Sequence, residues 1–289
     1  MELLIPESMT RIKKAVLNFF PSRLSLSAFI FLFGIFFLSV FIPFLSPYHE
    51  DIAGAAHFEI AGQAPSLSHW FGTDTSGRDV FTITIRAALS SFKIAFGVVF
   101  FSVLVGVPIG MVSGLASKRT DEIIMRITDG FLAFPPLILP LAVTAILGPS
   151  LNNVVLGISI SWFPWYVRIA RSQSLIISSL DYVSISKSMG ANKFHIIKHH
   201  ILPNSLSPIL TQASIDAGYA ILASAGLSFI GLGAQYPDVE WGLLITQSRA
   251  QFLNNWWEVF FPGIFICLTV ASFNVLGDEI RNNNKTNNE

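Results

Sequence analysis

The chain has 289 residues, of which 52% are hydrophobic and only 12% are charged, and its mean hydropathy is +0.59. A soluble domain has about 25% charged residues, so this chain has roughly half of the charge that a solvated surface requires. Eighteen basic and eighteen acidic residues cancel, so no overall charge indicates a nucleic acid as partner. The single cysteine, Cys267, excludes a disulfide-built secreted scaffold. The composition predicts a membrane protein.

Uncharged segments predict six transmembrane helices, since a spanning helix needs about 20 mainly apolar residues. In chain order these segments are 24–48, 95–117, 130–167, 217–237 (with an apolar stretch from about residue 208) and 259–277. The segment 130–167 is too long for one helix, and the turn sequence Gly148-Pro149-Ser150-Leu151-Asn152-Asn153 divides it into two. The first segment is too long for the core of a signal peptide, so it is predicted to remain as a membrane anchor.

The basic residues predict that both termini are cytoplasmic, because Lys and Arg are enriched in cytoplasmic loops. With this orientation, all but four of the 18 basic residues lie inside; the four are Arg78, Arg86, Lys93 and Arg249. The inside residues include Arg11, Lys13, Lys14 and Arg23 near the N-terminus and Arg281 and Lys285 near the C-terminus. The predicted parts are a cytoplasmic N-terminal segment (1–23), an anchor (24–45), an extracytoplasmic loop (46–92), a five-helix core (93–277) with a cytoplasmic loop (174–207), and a cytoplasmic tail (278–289).

The extracytoplasmic loop contains imidazole and carboxylate side chains, which are plausible metal ligands. They are His49, Glu50, Asp51, His57, Glu59 and His69. Their spacing fits no standard zinc pattern, so an ordinary polar loop is favoured and no metal site is predicted.

Three glycines at four-residue intervals in the second span, Gly106, Gly110 and Gly114, fall on one helix face. Small residues at this spacing let two helix backbones approach closely in lipid. The stripe is interpreted first as packing within this chain, with a seam between subunits as the alternative.

Arg168 and Arg171 lie at the cytosolic end of the fourth span, where they are expected to anchor the helix by the positive-inside rule.

The cytoplasmic loop has helical periodicity in two pieces. Tyr182, Ile185 and Met189 recur at the spacing of one helix face, after which Gly190 suits a left-handed helix end and Asn192 a new N-cap.

The second piece repeats the apolar spacing at Phe194, Ile197 and Ile201, and Leu202-Pro203 is expected to end it. Its other side is basic, with Lys193, His195, Lys198, His199 and His200. The loop is therefore a predicted helix-turn-helix with an apolar stripe. It either lies on the anionic inner leaflet or docks into a groove of a soluble partner.

Asp216 is the most isolated charge of the fifth span. A carboxylate in hydrocarbon is costly and usually faces a bundle interior or a water-filled path. A role in a translocation path and a structural hydrogen bond are both open, although the position near the cytosolic end weakens the case for substrate contact.

The helix-turn-helix resembles the EAA loop of ATP-binding-cassette (ABC) importer permeases. Gly190, Leu202 and Pro203 match that pattern at the right spacing, whereas Ser184-Ile185-Ser186 stand at the Glu-Ala-Ala positions and His200 at the Ile position. The version His200-Ile201-Leu202-Pro203-Asn204 is similar to the dipeptide, oligopeptide and nickel branch. The missing Glu removes the expectation of an ionic contact at that position.

Further segments extend the resemblance along the chain, in the order in which that branch has them. They are Phe71-Gly72-Thr73-Asp74-Thr75-Ser76-Gly77-Arg78-Asp79-Val80 before the second span, Asp121-Glu122 to Met125-Arg126 with Asp129 and Ala133-Phe134-Pro135, then Leu227 to Gly233, Trp241-Gly242 and Asn274 to Asp278. The resemblance implies an all-α permease of six transmembrane helices, the C-type subunit of such an importer, with no catalytic residue. It places the ATPase-coupling loop at Tyr182, Ser184, Ile185, Met189, Gly190, Ala191, Phe194, Ile197, Leu202 and Pro203.

The resemblance also implies the partners, namely a second homologous permease, two ATPase subunits and an extracytoplasmic solute-binding protein. The implied cargo is a peptide, or nickel and other metals carried by small chelators. The chain has no G-x-x-x-x-G-K-[ST], H-E-x-x-H or G-x-S-x-G motif. We therefore expect no cofactor on this chain, with ATP and Mg bound by partner subunits. The alternative is a non-transporting scaffold or receptor that keeps the fold.

Overall fold

The structure, a computed structural model, describes residues 22–286 and their side chains up to residue 282. In this range it contains helices and no β-strand, which confirms the predicted all-α class. The α-helices are α1 (Arg23–Leu45), α2 (His49–Ile52), α3 (Val80–Gly114), α4 (Lys118–Leu132), α5 (Ile138–Leu147), α6 (Leu151–Ser178), α7 (Asp181–Ser188), α8 (Lys193–Ile196), α9 (Leu202–Phe229), α10 (Trp241–Ser248) and α11 (Trp257–Thr286). Residues 1–21 of the predicted N-terminal segment, with Arg11, Lys13 and Lys14, lie outside the described residues, and so does the side chain of Lys285.

Three of the described helices are long and apolar enough to cross a membrane: α1, α3 and the part of α11 from Trp257 to Asn282. The other predicted spans correspond to α5, a short apolar helix of 10 residues, and to α6 and α9, which have 28 residues each. The predicted division is confirmed, but the turn is shorter than predicted: it covers residues 148–150, since α5 ends at Leu147 and α6 begins at Leu151. The last helix extends to Thr286, so most of the predicted tail 278–289 continues α11.

The second span begins earlier than predicted. The carboxylate of Asp79 accepts a hydrogen bond from the backbone N–H of Thr82 and so caps α3, which starts at Val80 rather than near Ala95. The predicted loop 46–92 is therefore a loop only up to residue 79. The uncharged segment was bounded by Lys93, and Arg86 was assigned to the loop, but the helix contains both. Within it, the guanidinium of Arg86 donates to the carbonyl oxygen of Ser39 in α1.

The third predicted span is also divided. Helix α4 ends at Leu132, residues 133–137 with Pro135 and Pro136 form a turn, and α5 begins at Ile138. The charged α4 is attached to α6 by two ion pairs. Arg171 donates from Nε and Nη2 to the two carboxylate oxygens of Asp121, both at 2.6 Å, and Arg168 Nη2 lies 2.7 Å from Asp129 Oδ1. The hydrogen bonds from Arg171 lower the pKa of Asp121. These two arginines therefore join helices, beyond the anchoring expected of them.

Helix α3 runs through the centre of the bundle and contributes to three apolar clusters. Near its start it packs with α1, α9, α10 and α11 around Phe92 and Trp241, and in its middle it packs with α6 and α9 around Ile94 and Ile158. Near its end Val107 and Met111 join a cluster that includes residues of α7 and α8. A helix of 35 residues is about 52 Å long. The segment before α3 and the helix-turn-helix therefore lie at opposite ends of the bundle.

The glycine stripe packs against α6 of the same chain. An added Cβ would lie 2.5 Å from the Phe163 carbonyl oxygen at Gly106, 2.3 Å from the Val167 carbonyl oxygen at Gly110, and 2.5 Å from Ser174 Cβ at Gly114. Such distances are too short for any larger side chain, so the close approach of α3 and α6 requires all three glycines.

Candidate functional site

Helix α7 divides its apolar residues between two faces. Val183 is fully buried against the cluster that α3 and α6 form, whereas Tyr182, Ile185 and Met189 are exposed, Met189 to 84%. The stripe predicted from helical spacing thus points away from the bundle. Val183 fixes α7 to the bundle, a role that was not predicted although the same spacing would place this residue on the opposite face.

The turn between α7 and α8 has the predicted geometry. Gly190 adopts a φ of +91°, in the left-handed region that favours glycine. The side-chain oxygen of Asn192 then accepts the backbone N–H of His195 at 2.8 Å and caps α8. The backbone N–H of Ala191 donates to the carbonyl oxygen of Ser186, which closes the turn.

The second piece differs from the prediction. Leu202-Pro203 does not end it, because a π-helical turn over residues 197–201 leads directly into α9. Proline is tolerated in the first turn of a helix, where its missing N–H has no partner to lose. The predicted stripe is also divided: Phe194 is 72% exposed, Ile197 is half-buried and Ile201 is fully buried. Leu202 and Pro203 lie exposed at the start of α9.

The exposed residues surround a cleft of about 550 Å³ on the helix-turn-helix, which we define as residues 181–201. Its lining residues are Tyr182, Ile185, Ser186, Met189, Gly190, Ala191, Asn192 and His195. Ser184 lies outside the cleft and is exposed. At the edge of the cleft, His200 Nε2 lies 3.2 Å from Ser186 Oγ, and the rings of His195 and His199 stack at 4.3 Å. Apolar side chains with a rim of imidazoles are thus exposed together on a rigid base.

Asp216 lies in α9. Its carboxylate accepts a hydrogen bond of 2.9 Å from Gln212 Nε2, one turn earlier, and it lies beside the buried phenol of Tyr166. It is half-buried. Gln212 is thus its hydrogen-bond partner, and Asp216 does not line the cleft of the helix-turn-helix.

At the other end of the bundle, residues 46–79 form what we call the α1–α3 segment. The backbone N–H of Asp79 donates to Asp51 Oδ2 at 2.7 Å, and His57 Nε2 lies 3.1 Å from Asp51 Oδ1. Asp79 Oδ1 lies 3.0 Å from His69 Nδ1. Buried carboxylates therefore hold the start of α3 to two other parts of the segment.

The predicted signature 72–79 connects the segment to α11. Asp74 accepts hydrogen bonds from the backbone N–H and the Nε of Arg78, whose guanidinium also contacts the hydroxyl of Tyr236. The indole of Trp257 donates to the carbonyl oxygen of Thr73 at 3.0 Å. An added Cβ on Gly72 would lie 2.7 Å from that indole nitrogen. The signature residues thus form a framework between helices.

Two of the three histidines of the segment, His57 and His69, belong to this framework. His57 and His69 each pair with one aspartate, and the described residues contain no group of three or more His, Cys, Asp or Glu side chains that could hold a metal ion.

Glu240 caps α10 and is fully buried. Burial raises the pKa of Glu240, while the hydroxyl of Ser228 and the backbone N–H groups of Gly242 and Leu243 favour its ionised form.

The sequence matches one known family over residues 106–283, the binding-protein-dependent transport system inner membrane components. It is 40% identical over 278 residues to the probable D,D-dipeptide transport system permease protein DdpC of Escherichia coli, covering 96% of this chain and 92% of that protein. It is 35% identical over 261 residues to the dipeptide transport system permease protein DppC of Bacillus subtilis, covering 90% of this chain and 81% of that protein.

Solved structures of ABC transporters share the fold. An inward-facing form of the MetNI methionine ABC transporter superposes with a TM-score of 0.59 at 19% identity, covering 70% of this chain and 96% of that chain. An amino acid ABC transporter crystallised with histidines superposes with a TM-score of 0.51 at 18% identity, covering 69% of this chain and 91% of that chain. The matched family region begins at Gly106, so it includes the helix-turn-helix and leaves out the α1–α3 segment.

Proposed function

This chain belongs to the binding-protein-dependent transport system inner membrane components, the permeases of ABC importers, and we propose that it forms half of a translocation path. A second, homologous permease supplies the other half, two ATPase subunits supply the energy, and an extracytoplasmic solute-binding protein delivers the cargo. ATP and Mg are bound by the ATPase subunits. The termini are cytoplasmic, as the distribution of basic residues indicates.

The single observation that carries the proposal is the exposed apolar surface of the helix-turn-helix. Met189 and Phe194 are 84% and 72% exposed, on a base fixed by Val183, Ile196 and Ile201. Large exposed side chains on a rigid base are typical of residues that bury themselves in a partner. We infer that they dock into a groove of the ATPase subunit. The alternative, contact with the inner leaflet, is an outcome of the test below.

The packing beneath the helix-turn-helix suggests how docking is coupled to transport. Its base shares one apolar cluster with Val107 of α3, Tyr166 and Ala170 of α6 and Ile209 of α9. Because packed interiors resist compression, a displacement of the helix-turn-helix by the ATPase carries these helices with it as a body. Closure and opening of the ATPase pair would thereby alternate access to the path.

We propose peptides as the cargo. Support comes from the relatives, which are named as permeases for D,D-dipeptides and dipeptides. Nickel and metal-chelate complexes are the second candidate, on the resemblance alone.

Asp216 is the residue that we propose for the translocation path. Asp216→Asn should lower uptake while the folded yield stays normal. Unchanged uptake at a normal folded yield would remove Asp216 from the path.

The docking proposal is tested with Met189→Asp in the assembled transporter. A carboxylate in the centre of an apolar contact should weaken binding of the ATPase about 30-fold or more, since central interface residues contribute about 2 kcal/mol or more. The measurements are co-purification of the ATPase and peptide uptake into proteoliposomes. Leu253→Asp is the matched control, because Leu253 is 93% exposed and lies between α10 and α11, at the other end of the bundle.

Three results separate the alternatives. Loss of both ATPase binding and uptake in Met189→Asp, with Leu253→Asp unchanged, supports docking and transport. Normal ATPase binding and normal uptake in Met189→Asp would contradict docking at this surface. This is the result expected if the apolar stripe lies on the inner leaflet instead. Normal ATPase binding by the wild-type protein without uptake of any peptide or metal chelate would favour a scaffold that keeps the fold.

A further inference from the structure

A groove of about 570 Å³ lies where α1 ends and α3 begins. One wall is α1 near its C-terminal end, with the buried Ile42, the half-buried Leu38 and the exposed Leu45. The opposite wall comes from the α1–α3 segment and includes Leu67 and Trp70. The groove thus joins a spanning helix to a part of the chain that the matched family region leaves out.

The polar groups that line the groove bond to one another. Ser46 Oγ and Thr82 Oγ1 lie 2.7 Å apart, and Asp79 Oδ2 accepts the Thr82 hydroxyl at 2.7 Å. The Tyr48 hydroxyl donates to the carbonyl oxygen of Ser68 at 2.8 Å. Because these groups satisfy each other, the groove presents mainly carbon to an occupant.

A tight turn holds Leu67 out of the protein. The backbone N–H of Ser66 donates to the carbonyl oxygen of His69, and the backbone N–H of His69 donates back to Ser66 Oγ. The imidazole of His69 is in turn fixed by Asp79. On this rigid turn Leu67 is 98% exposed and the neighbouring Trp70 is 64% exposed. Trp70 contacts the ring of Phe81 edge-on, with ring centroids 5.1 Å apart, and leaves the rest of its indole exposed. Almost the whole side chain of Leu67 is thus left for an occupant from outside the described part of the chain.

Apart from the buried Asp79, the groove is lined by uncharged residues, which favours a lipid as its occupant. No Lys, Arg, Asp or Glu occurs from Ile60 to Gly72, and none occurs in α1 after Arg23. Beyond the groove, α1 exposes Phe33, Phe37, Phe41 and Phe44, so the groove continues the surface that α1 presents to hydrocarbon. Tryptophan and tyrosine, here Trp70 and Tyr48, are enriched at the level of the lipid headgroups.

We propose that this groove binds an acyl chain of a phospholipid and that Leu67 and Trp70 insert into the same leaflet. The α1–α3 segment is thereby attached to the membrane surface beside α1. Its framework, which reaches α11 through Trp257, is then held at a fixed height above the bilayer. The proposed topology makes this the outer leaflet; the binding itself does not depend on the proposed transport function.

The test places a spin label at position 67 of the complete transporter in lipid nanodiscs. The only native cysteine, the exposed Cys267, is first changed by Cys267→Ser, and then Leu67→Cys is introduced. Glu59→Cys provides the matched control, because Glu59 is an exposed, charged position of the same segment. Collision rates are measured with oxygen, which concentrates in hydrocarbon, and with a water-soluble nickel chelate.

We expect the ratio of the oxygen to the nickel collision rate to be several-fold higher at position 67 than at position 59. Equal ratios at the two positions would place Leu67 in water and overturn the proposal. Low collision rates with both reagents at position 67 would mean that a protein subunit covers the groove, which also overturns it. Transport activity affects none of these readings, so failure of the proposed function would be seen separately, as absent uptake.

Discussion

The two ends of the molecule use a glycine turn in opposite ways. In the α1–α3 segment, Gly77 has a φ of +80°, and an added Cβ would lie 1.9 Å from the carbonyl oxygen of His57. In the helix-turn-helix, Gly190 has a φ of +91°, and nothing lies within 4 Å of an added Cβ. The first glycine is required by conformation and by space, the second by conformation alone.

The same contrast holds for the side chains around these turns. Near Gly77 the side chains of Asp51, Asp74 and Asp79 are buried and hydrogen-bonded within the chain. Near Gly190 the large side chains of Met189 and Phe194 are exposed. A framework completes its contacts within the chain, whereas a docking surface leaves apolar area for a partner. The difference separates a structural role for the first end from an interaction role for the second.

The largest effect on stability is expected for Gly77→Ala. The added methyl group would collide with the His57 backbone, and the alanine would have to keep a positive φ that strains its backbone. We therefore expect the free energy of unfolding to fall by about 3 kcal/mol or more. The measurement is the thermal midpoint of the purified protein together with its folded yield. A midpoint equal to that of the wild-type protein would show that the segment gives way easily and is not a framework.

A smaller loss is expected for Gly190→Ala. The added methyl group has no atom within 4 Å, so the only cost is that of holding an alanine in the left-handed conformation. We expect this to lower the free energy of unfolding by about 1 kcal/mol. The same thermal measurement should therefore show a shift well below that of Gly77→Ala. A shift as large as that of Gly77→Ala would break the comparison, because it would mean that the turn is packed as tightly as the segment.

The smallest effect on stability is expected for Met189→Asp, the variant designed against docking. An exposed substitution of this kind usually changes the free energy of unfolding by no more than about 0.5 kcal/mol. Its thermal midpoint should match the wild-type value while its binding to the ATPase is lost. A large drop in the midpoint would assign the residue to the fold of this chain and would remove the contrast between the two ends.

Local features could be predicted from the sequence, whereas features that depend on distant contacts could not. The turn at Gly190 and the cap at Asn192 depend on adjacent residues, and both were predictable. The early start of α3 was missed because the charged Lys93 and Arg86 bounded the uncharged segment, and spacing does not show that Arg86 has a partner on α1, 47 residues away. The passage of the helix through Leu202-Pro203 was missed because a π-helical turn precedes it.

The residues of the candidate site could be predicted from the sequence, but their orientation and their distant contacts could not. Helical spacing identified the stripe of Tyr182, Ile185 and Met189 but not its direction, which depends on Val183 packing against α3 and α6. The signature 72–79 was recognised by resemblance. Its contacts with Asp51, Tyr236 and Trp257 come from segments far along the chain, so spacing within the motif does not contain them.

The central claim is that the helix-turn-helix is covered by an ATPase subunit in the working importer. It is tested most directly by maleimide labelling of Met189→Cys and Leu253→Cys, each introduced after Cys267→Ser so that it is the only cysteine. We predict rapid labelling at both positions in the isolated permease. In the assembled transporter, position 189 should be protected while position 253 should label as before. Equal labelling of position 189 in the isolated and assembled protein would contradict the claim.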